Sequence, residues 1–233
     1  MSANSEARRT TPDSRGRVSL LLLGALVGLA WASGLRGFMA EVAGNDSDVE
    51  WGMTFGYIML PGLVTGLLLG WAEQLRASGG RRGWRWLALA PLTFTAVLFS
   101  EGPLGFLGIF EDGLGGGAIG VPLYGIVGGY AVSGRGPLWG RVVCGLLAFT
   151  VVPIWALTVT SFAPHLALDT PRGAWVALHY YSLILILMLG CSIPHRAPAQ
   201  RINREGVTPD GSGRETRRSD PGIPEGIPGS ASP

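Results

Sequence analysis

The chain has 233 residues, of which 47% are hydrophobic and 15% are charged, and its mean hydropathy is +0.33. A chain this apolar and this sparsely charged is excluded from the ordinary soluble domains and fits a single helical membrane domain. The formal net charge of +2 gives no indication of a nucleic-acid partner.

The N-terminal part predicts a cytoplasmic leader and a first membrane span. Residues 1–17 are polar and rich in arginine, which predicts a disordered, basic leader. Residues 18–38 form the first predicted span. A basic segment, an apolar run and the triplet Ala30-Trp31-Ala32 also describe a cleaved signal peptide. The apolar character continues beyond the triplet to Phe38 and Met39, which favours an uncleaved span.

The second span fixes the orientation of the chain. Trp51 and Trp71 enclose a stretch without charged residues, preceded by acidic residues and followed by Arg76, Arg81, Arg82 and Arg85. At about 1.5 Å of rise per residue, this stretch covers roughly 30 Å, the thickness of the hydrocarbon core of a bilayer. By the positive-inside rule its C-terminal end is cytoplasmic.

The remaining apolar stretches complete an all-α transmembrane bundle with cytoplasmic N- and C-termini. Residues 101–117 hold only a short apolar run, so they predict an outer loop at the interface, with a re-entrant element as the alternative. Residues 194–233 are rich in Pro, Gly, Ser and Arg and predict a disordered cytoplasmic tail. The six predicted spans within the membrane domain 18–193 are 18–38, 51–71, 84–99, 118–132, 142–162 and 175–193.

The distribution of arginine predicts the location. Of the 18 arginines, all but Arg36 and Arg172 fall on the predicted cytoplasmic side, and the chain has no lysine. The lysine-free composition indicates a GC-rich coding sequence and hence a bacterium, so we expect a multi-pass protein of the inner membrane. Cys144 and Cys191 are expected to be free thiols, because both lie near cytoplasmic helix ends without CxxC spacing.

Small residues and prolines predict how the helices pack. Gly62, Gly66 and Gly70 recur every four residues and form one stripe that permits close approach of another helix. Packing within the chain and homodimerisation are the two interpretations. Similar stripes are 24, 28 and 32, and 125, 129 and 133. Four predicted spans contain a proline that is expected to kink the helix: Pro61, Pro91, Pro122 and Pro153.

Arg36 is the main candidate functional residue, because it lies near the outer end of the first span, where arginine is depleted. Its candidate partners are Glu41, Glu101, Glu111 and Asp112. One interpretation is an interfacial ion pair that fastens span one to span three. The other is an outward-facing polar cluster that binds an anionic headgroup, a metabolite or a proton.

His179 is the second candidate, as a proton carrier or as a hydrogen-bonded packing residue. A Ser33–His179 dyad of an intramembrane protease lacks the Gly-x-Ser-x-Gly pattern. The chain has no zinc spacing, Walker loop or CxxC pair, so no catalytic residue, metal or cofactor is predicted.

Two classes of function follow. The first is a small-solute or ion transporter component with Arg36, Glu41, Glu101 and His179 as substrate-binding residues. The second is a non-enzymatic structural or partner-binding membrane protein, in which the glycine stripes bind a second copy or a membrane partner.

Overall fold

The computed structural model describes residues 14–97 and 114–199, and every regular element within these ranges is helical. The predicted leader up to residue 13, residues 98–113 and the chain from residue 200 lie outside the described residues. The α-helices of the described ranges are α1 (Ser14–Ala43), α2 (Leu60–Ala77), α3 (Leu92–Val97), α4 (Leu114–Val132), α5 (Leu138–Phe149), α6 (Val151–Phe162) and α7 (Pro171–Ser192).

Short helical segments of other types connect the α-helices. A nine-residue π-helix, Trp51–Met59, leads directly into α2. Single turns of 3₁₀-helix follow α1, α6 and α7, and a longer 3₁₀-helix precedes α3. The 3₁₀ segments are Gly44–Asp46, Trp84–Leu89, Pro164–Leu166 and Ile193–His195.

Four helical stretches of the described chain are long and apolar enough to cross a membrane: Val18–Asp46, Trp51–Ala77, Leu138–Phe162 and Pro171–His195. They correspond to predicted spans one, two, five and six. Predicted span four lies in α4, whose apolar part Gly117–Val132 is shorter than 18 residues. Predicted span three continues past Val97 into residues that are not described. The all-helical class is confirmed for the described residues, and the six-span arrangement stays a prediction.

The helices α1 and α2 are antiparallel and meet through glycine. A Cβ atom built on Gly66 would lie 2.7 Å from Cα of Gly28, with the carbonyl oxygen of Gly24 closer still. A Cβ atom on Gly70 would lie 2.6 Å from the carbonyl oxygen of Leu20, and one on Gly62 would collide with Ala32. The two stripes identified in the sequence therefore face each other within one chain. We call this contact the glycine seam.

The second close contact joins α4 and α7, which run parallel. A Cβ atom built on Gly125 would lie 2.7 Å from the Leu187 side chain, and one on Gly129 would lie 2.6 Å from Cβ of Cys191. Both distances are too short for a side chain at the glycine. Helix α5 packs antiparallel to α4, and the Arg141 side chain donates from Nε to the carbonyl oxygen of Ala131 at 3.1 Å. The C-terminal part of the described chain is thus held together by α4, which contacts both neighbours.

An aromatic cluster joins α1, α6 and α7. The Phe38 ring stacks on Tyr180 with centroids 4.8 Å apart and contacts Trp155 at 5.2 Å. About two turns before Phe38 on α1, Trp31 donates from Nε1 to the carbonyl oxygen of Leu183 at 2.8 Å. Trp31, Phe38 and Trp155 are all buried. Because the indole N–H has a partner, Trp31 is buried without an unmet donor.

Three of the four prolines lie at a change in the helix. Pro61 follows the junction between the π-helix and α2, Pro91 separates the Trp84–Leu89 segment from α3, and Pro153 lies in the first turn of α6. Pro122, in contrast, lies inside an uninterrupted α4. Proline lacks the N–H that the preceding turn would use, so a helix tends to restart there.

Threonine hydroxyls bridge two of these proline breaks. Thr65 and Thr93 share a hydrogen bond of 2.7 Å. The single hydroxyl proton of Thr93 is shared between the carbonyl oxygens of Ala90 at 3.0 Å and Pro61 at 3.4 Å. These hydroxyls therefore connect the start of α2 to the start of α3.

The outward surface of the described bundle is apolar. Large side chains on several helices are more than half exposed, among them Leu26, Leu146, Leu157 and Leu178. A soluble protein rarely exposes so many large apolar side chains to this degree. This surface is suited to contact with the lipid bilayer.

The start of the predicted tail belongs to the ordered bundle. Residues 194–199, which the sequence assigned to the tail, are described, and Pro194 is buried. The backbone N–H of Ala199 donates to the carbonyl oxygen of Arg76 at 3.0 Å. Because the last carbonyls of a helix lack intrahelical donors, the end of α2 offers a binding position for this segment.

Candidate functional site

The side chain of Arg36 contacts the segment that follows its own helix, α1, and leads into the π-helix. Its Nη1 donates to Oγ of Ser47 at 3.1 Å, its Nη2 donates to the carbonyl oxygen of Asp48, and its Nε lies 3.5 Å from Oγ1 of Thr54. Thr54 is buried in the first turn of the π-helix. The guanidinium group is thus half-buried and satisfied by hydroxyl and carbonyl oxygens, without a carboxylate among these partners.

Glu41 does not pair with Arg36, although the sequence suggested it as a partner. Its Oε2 accepts from Arg172 at 2.9 Å. Five residues of helix rotate a side chain by about 140° from the first, so Arg36 and Glu41 face different sides of α1. The other suggested partners, Glu101, Glu111 and Asp112, lie outside the described residues.

Glu41 instead joins α1 to the connection between α6 and α7. His165 donates from Nε2 to the backbone carbonyl oxygen of Glu41 at 2.9 Å, because a carbonyl oxygen can only accept. Arg172 contributes the ion pair from the first turn of α7. The Arg172 side chain is 59% exposed and that of Glu41 is 28% exposed, so the pair is accessible to water and contributes little to stability.

His179 contacts α1 through its ring. Its Nε2 donates to the carbonyl oxygen of Gly34 at 3.0 Å, which requires the proton on Nε2. The Trp175 ring stacks on it with centroids 5.8 Å apart and planes inclined by 6°. The hydroxyl of Ser33 donates to the sulfur of Met59 at 3.5 Å. In these contacts Ser33 and His179 have different partners, and no Ser–His hydrogen bond forms.

The candidate residues do not converge on one cleft in the described chain. Arg36, Glu41 and His179 belong to three contact groups that share no residue, and Glu101 is not described. Each group nevertheless connects α1 to another element. Gly62, Gly66 and Gly70 connect α1 to α2 in the glycine seam, so their common stripe is covered within the chain.

An open cleft at the other end of the bundle was missed by the sequence reasoning. It measures about 650 Å³ and lies between the segment 81–89, Ile126 of α4 and His195. Arg81, Arg82 and Arg85 line it together with Trp84 and Trp86. From the sequence alone, these residues predicted only the orientation of the chain in the membrane. The signal that could have found the cleft is the alternation of arginine and tryptophan in 81–86.

Comparison with models of known protein families, with curated proteins and with solved structures finds no match to this chain.

Proposed function

We propose that this chain is a non-enzymatic structural or partner-binding protein of a bacterial inner membrane, with cytoplasmic termini. The proposal rests on one observation: the described candidate residues that are predicted to lie at the outer end of the bundle already have partners within the chain. Arg36 and His179 each form hydrogen bonds that fasten α1 to a neighbouring element, and the Glu41 carboxylate is already paired with Arg172. Polar groups already engaged in fastening helices are poorly placed to release and rebind a solute.

A second candidate function is that of a small-solute or ion transporter component. It is favoured by the π-helix Trp51–Met59, which contributes Thr54 to Arg36, and by the helix changes at Pro61, Pro91 and Pro153. Long π-helical segments are rare and are often found at functional sites. Transporters also use interrupted helices to form binding sites near the middle of the membrane.

Arg36→Gln separates the two functions. If Arg36 fastens the connection 44–50, its loss should lower the free energy of unfolding in mixed detergent micelles by about 1–3 kcal/mol, because hydrogen bonds from a charged donor are removed. Arg135→Gln is the matched control, since Arg135 is exposed on a loop and its side chain shows no described contact. That variant should change the free energy of unfolding by less than about 0.5 kcal/mol.

The same variants are then reconstituted into liposomes that contain a pH-sensitive dye, under a potassium diffusion potential. The structural function predicts that wild type and Arg36→Gln both leak protons at the rate of empty liposomes. Proton flux in the wild type that disappears in Arg36→Gln, at unchanged stability, would refute the structural function and support the transporter.

A further inference from the structure

The cleft formed by residues 81–89 presents three cationic side chains that are not neutralised by the described part of the chain. Arg81, Arg82 and Arg85 are all exposed, and none forms an ion pair with a described carboxylate. The ion pair at this end of the bundle joins a different arginine, Arg76, to Glu73. Three unneutralised guanidinium groups at the edge of one cleft favour a ligand with a phosphate group.

A glycine-rich turn carries these arginines. Gly79, Gly80 and Gly83 all have positive φ, a backbone conformation that other residues rarely adopt. The N–H of Gly80 donates to the carbonyl oxygen of Leu75 at 2.8 Å and closes the C-terminus of α2. Trp84, which is buried, anchors the end of the turn. The turn is thus attached at both ends, by this hydrogen bond to Leu75 and by the buried Trp84 ring.

The floor of the cleft is apolar. Buried Ala88, partly exposed Leu89 and half-buried Ile126 line it, and the Trp86 side chain, 74% exposed, stands beside it. A free phosphate would gain nothing from such a floor. A phospholipid would place the part of its acyl chain nearest the headgroup against this floor, and Trp86 would lie at the level of the headgroups.

One polar atom in the cleft has no partner in the described chain. The Nε2 atom of His195 is buried and forms no hydrogen bond there, while the His195 ring packs edge-on against Tyr130 with centroids 5.5 Å apart. A buried polar atom without a partner is unfavourable. His195 closes one side of the cleft beside Tyr130, and its Nε2 atom is not exposed to a ligand.

We propose that this cleft binds the headgroup of an anionic phospholipid from the cytoplasmic leaflet. Arg81, Arg82 and Arg85 bind the phosphate, and Leu89 and Ile126 contact an acyl chain. Basic clefts between helices at the cytoplasmic end of membrane proteins are suited to such headgroups. This inference rests on the membrane orientation of the proposed function, but not on whether Arg36 fastens helices or binds a solute, because it concerns the opposite end of the bundle.

The test uses the full, delipidated chain in dodecyl maltoside, titrated with dioctanoyl phosphatidylglycerol and followed by native mass spectrometry. Dioctanoyl phosphatidylcholine is the neutral comparison. We expect phosphatidylglycerol to bind more tightly, and each of Arg81→Gln, Arg82→Gln and Arg85→Gln to weaken it about fivefold, the effect of one arginine near a charged lipid surface. Arg135→Gln, which removes the same charge from another loop at this end, should leave the affinity unchanged.

Two further measurements identify the source of the phosphate. Glycerol 3-phosphate, which has no acyl chain, should fail to displace the lipid at 100-fold excess, and Leu89→Ser should weaken the lipid without altering the far-ultraviolet circular dichroism. Equal binding of the two lipids, equal weakening by Arg135→Gln, or full displacement by glycerol 3-phosphate would each overturn the proposal. The arginines are exposed and without described partners, so their replacement leaves the fold intact.

Discussion

Gly66→Ala is the most direct test of the glycine seam. The added methyl group would lie 2.7 Å from Cα and 2.8 Å from N of Gly28, with the carbonyl oxygen of Gly24 closer still. All three atoms belong to the backbone of α1 and cannot rotate away. To reach an ordinary van der Waals distance, α1 and α2 must separate by about 1 Å, which weakens contacts along the seam.

The magnitude follows from two opposing effects. Replacement of glycine by alanine inside a helix favours folding by about 1 kcal/mol in water, whereas overpacking a close contact costs about 1–3 kcal/mol. Gly37→Ala isolates the second effect. Gly37 also lies in a helix, α1, but a Cβ atom there would meet nothing within 4 Å. Both variants gain the same helix propensity, so the difference between them is the cost of packing.

The assay is reversible unfolding in mixed micelles of dodecyl maltoside and sodium dodecyl sulfate, followed by circular dichroism. We expect Gly66→Ala to be less stable than Gly37→Ala by about 1–3 kcal/mol. Gly28→Ala, on the opposite side of the seam, should resemble Gly66→Ala. If Gly66→Ala and Gly37→Ala unfold with the same free energy, the two backbones are not in contact and the reasoning is refuted.

Two further predictions concern the contacts of α1. Trp31→Phe removes the hydrogen bond to Leu183 and part of a buried ring, so it should lower the free energy of unfolding by about 1–3 kcal/mol in the same assay. Trp139→Phe, at a position that is 73% exposed, should lower it by less than about 0.5 kcal/mol. Equal effects of the two variants would contradict the buried hydrogen bond. In a double-mutant cycle of Glu41→Gln and Arg172→Gln, the coupling energy should be below about 1 kcal/mol and should fall in high salt; a larger coupling that is independent of salt would show that the pair is buried.

The sequence could predict the helices because length and apolarity determine them locally. The stretch 51–71 and the apolar run before Phe38 are each longer and more apolar than helices of soluble proteins usually are. Both lie in helices that are long and apolar enough to cross a membrane. The helix ends were placed less well. Helix α1 continues to Ala43, because nothing in the residues after Phe38 stops a helix before Gly44, whose φ is positive.

The partners of the polar residues were harder to predict, since they depend on how helices meet. Spacing along α1 could exclude an Arg36–Glu41 pair only once the helix was known to continue through both residues. Nothing in the sequence places Arg172 or His165 beside Glu41, because the contact spans more than 120 residues of chain. The cleft lined by residues 81–89 depends in the same way on the approach of His195 to that segment.

The glycine seam also bears on how the chain enters the membrane. Helices α1 and α2 with its π-helical extension are joined only by residues 44–50, and their contact surface is complete without any later helix. In the inner-membrane protein that we propose, the two helices would therefore enter lipid as one helical hairpin. The later helices would then assemble on a template that is already formed, and substitutions in the seam would affect the yield of inserted protein before they affect any activity.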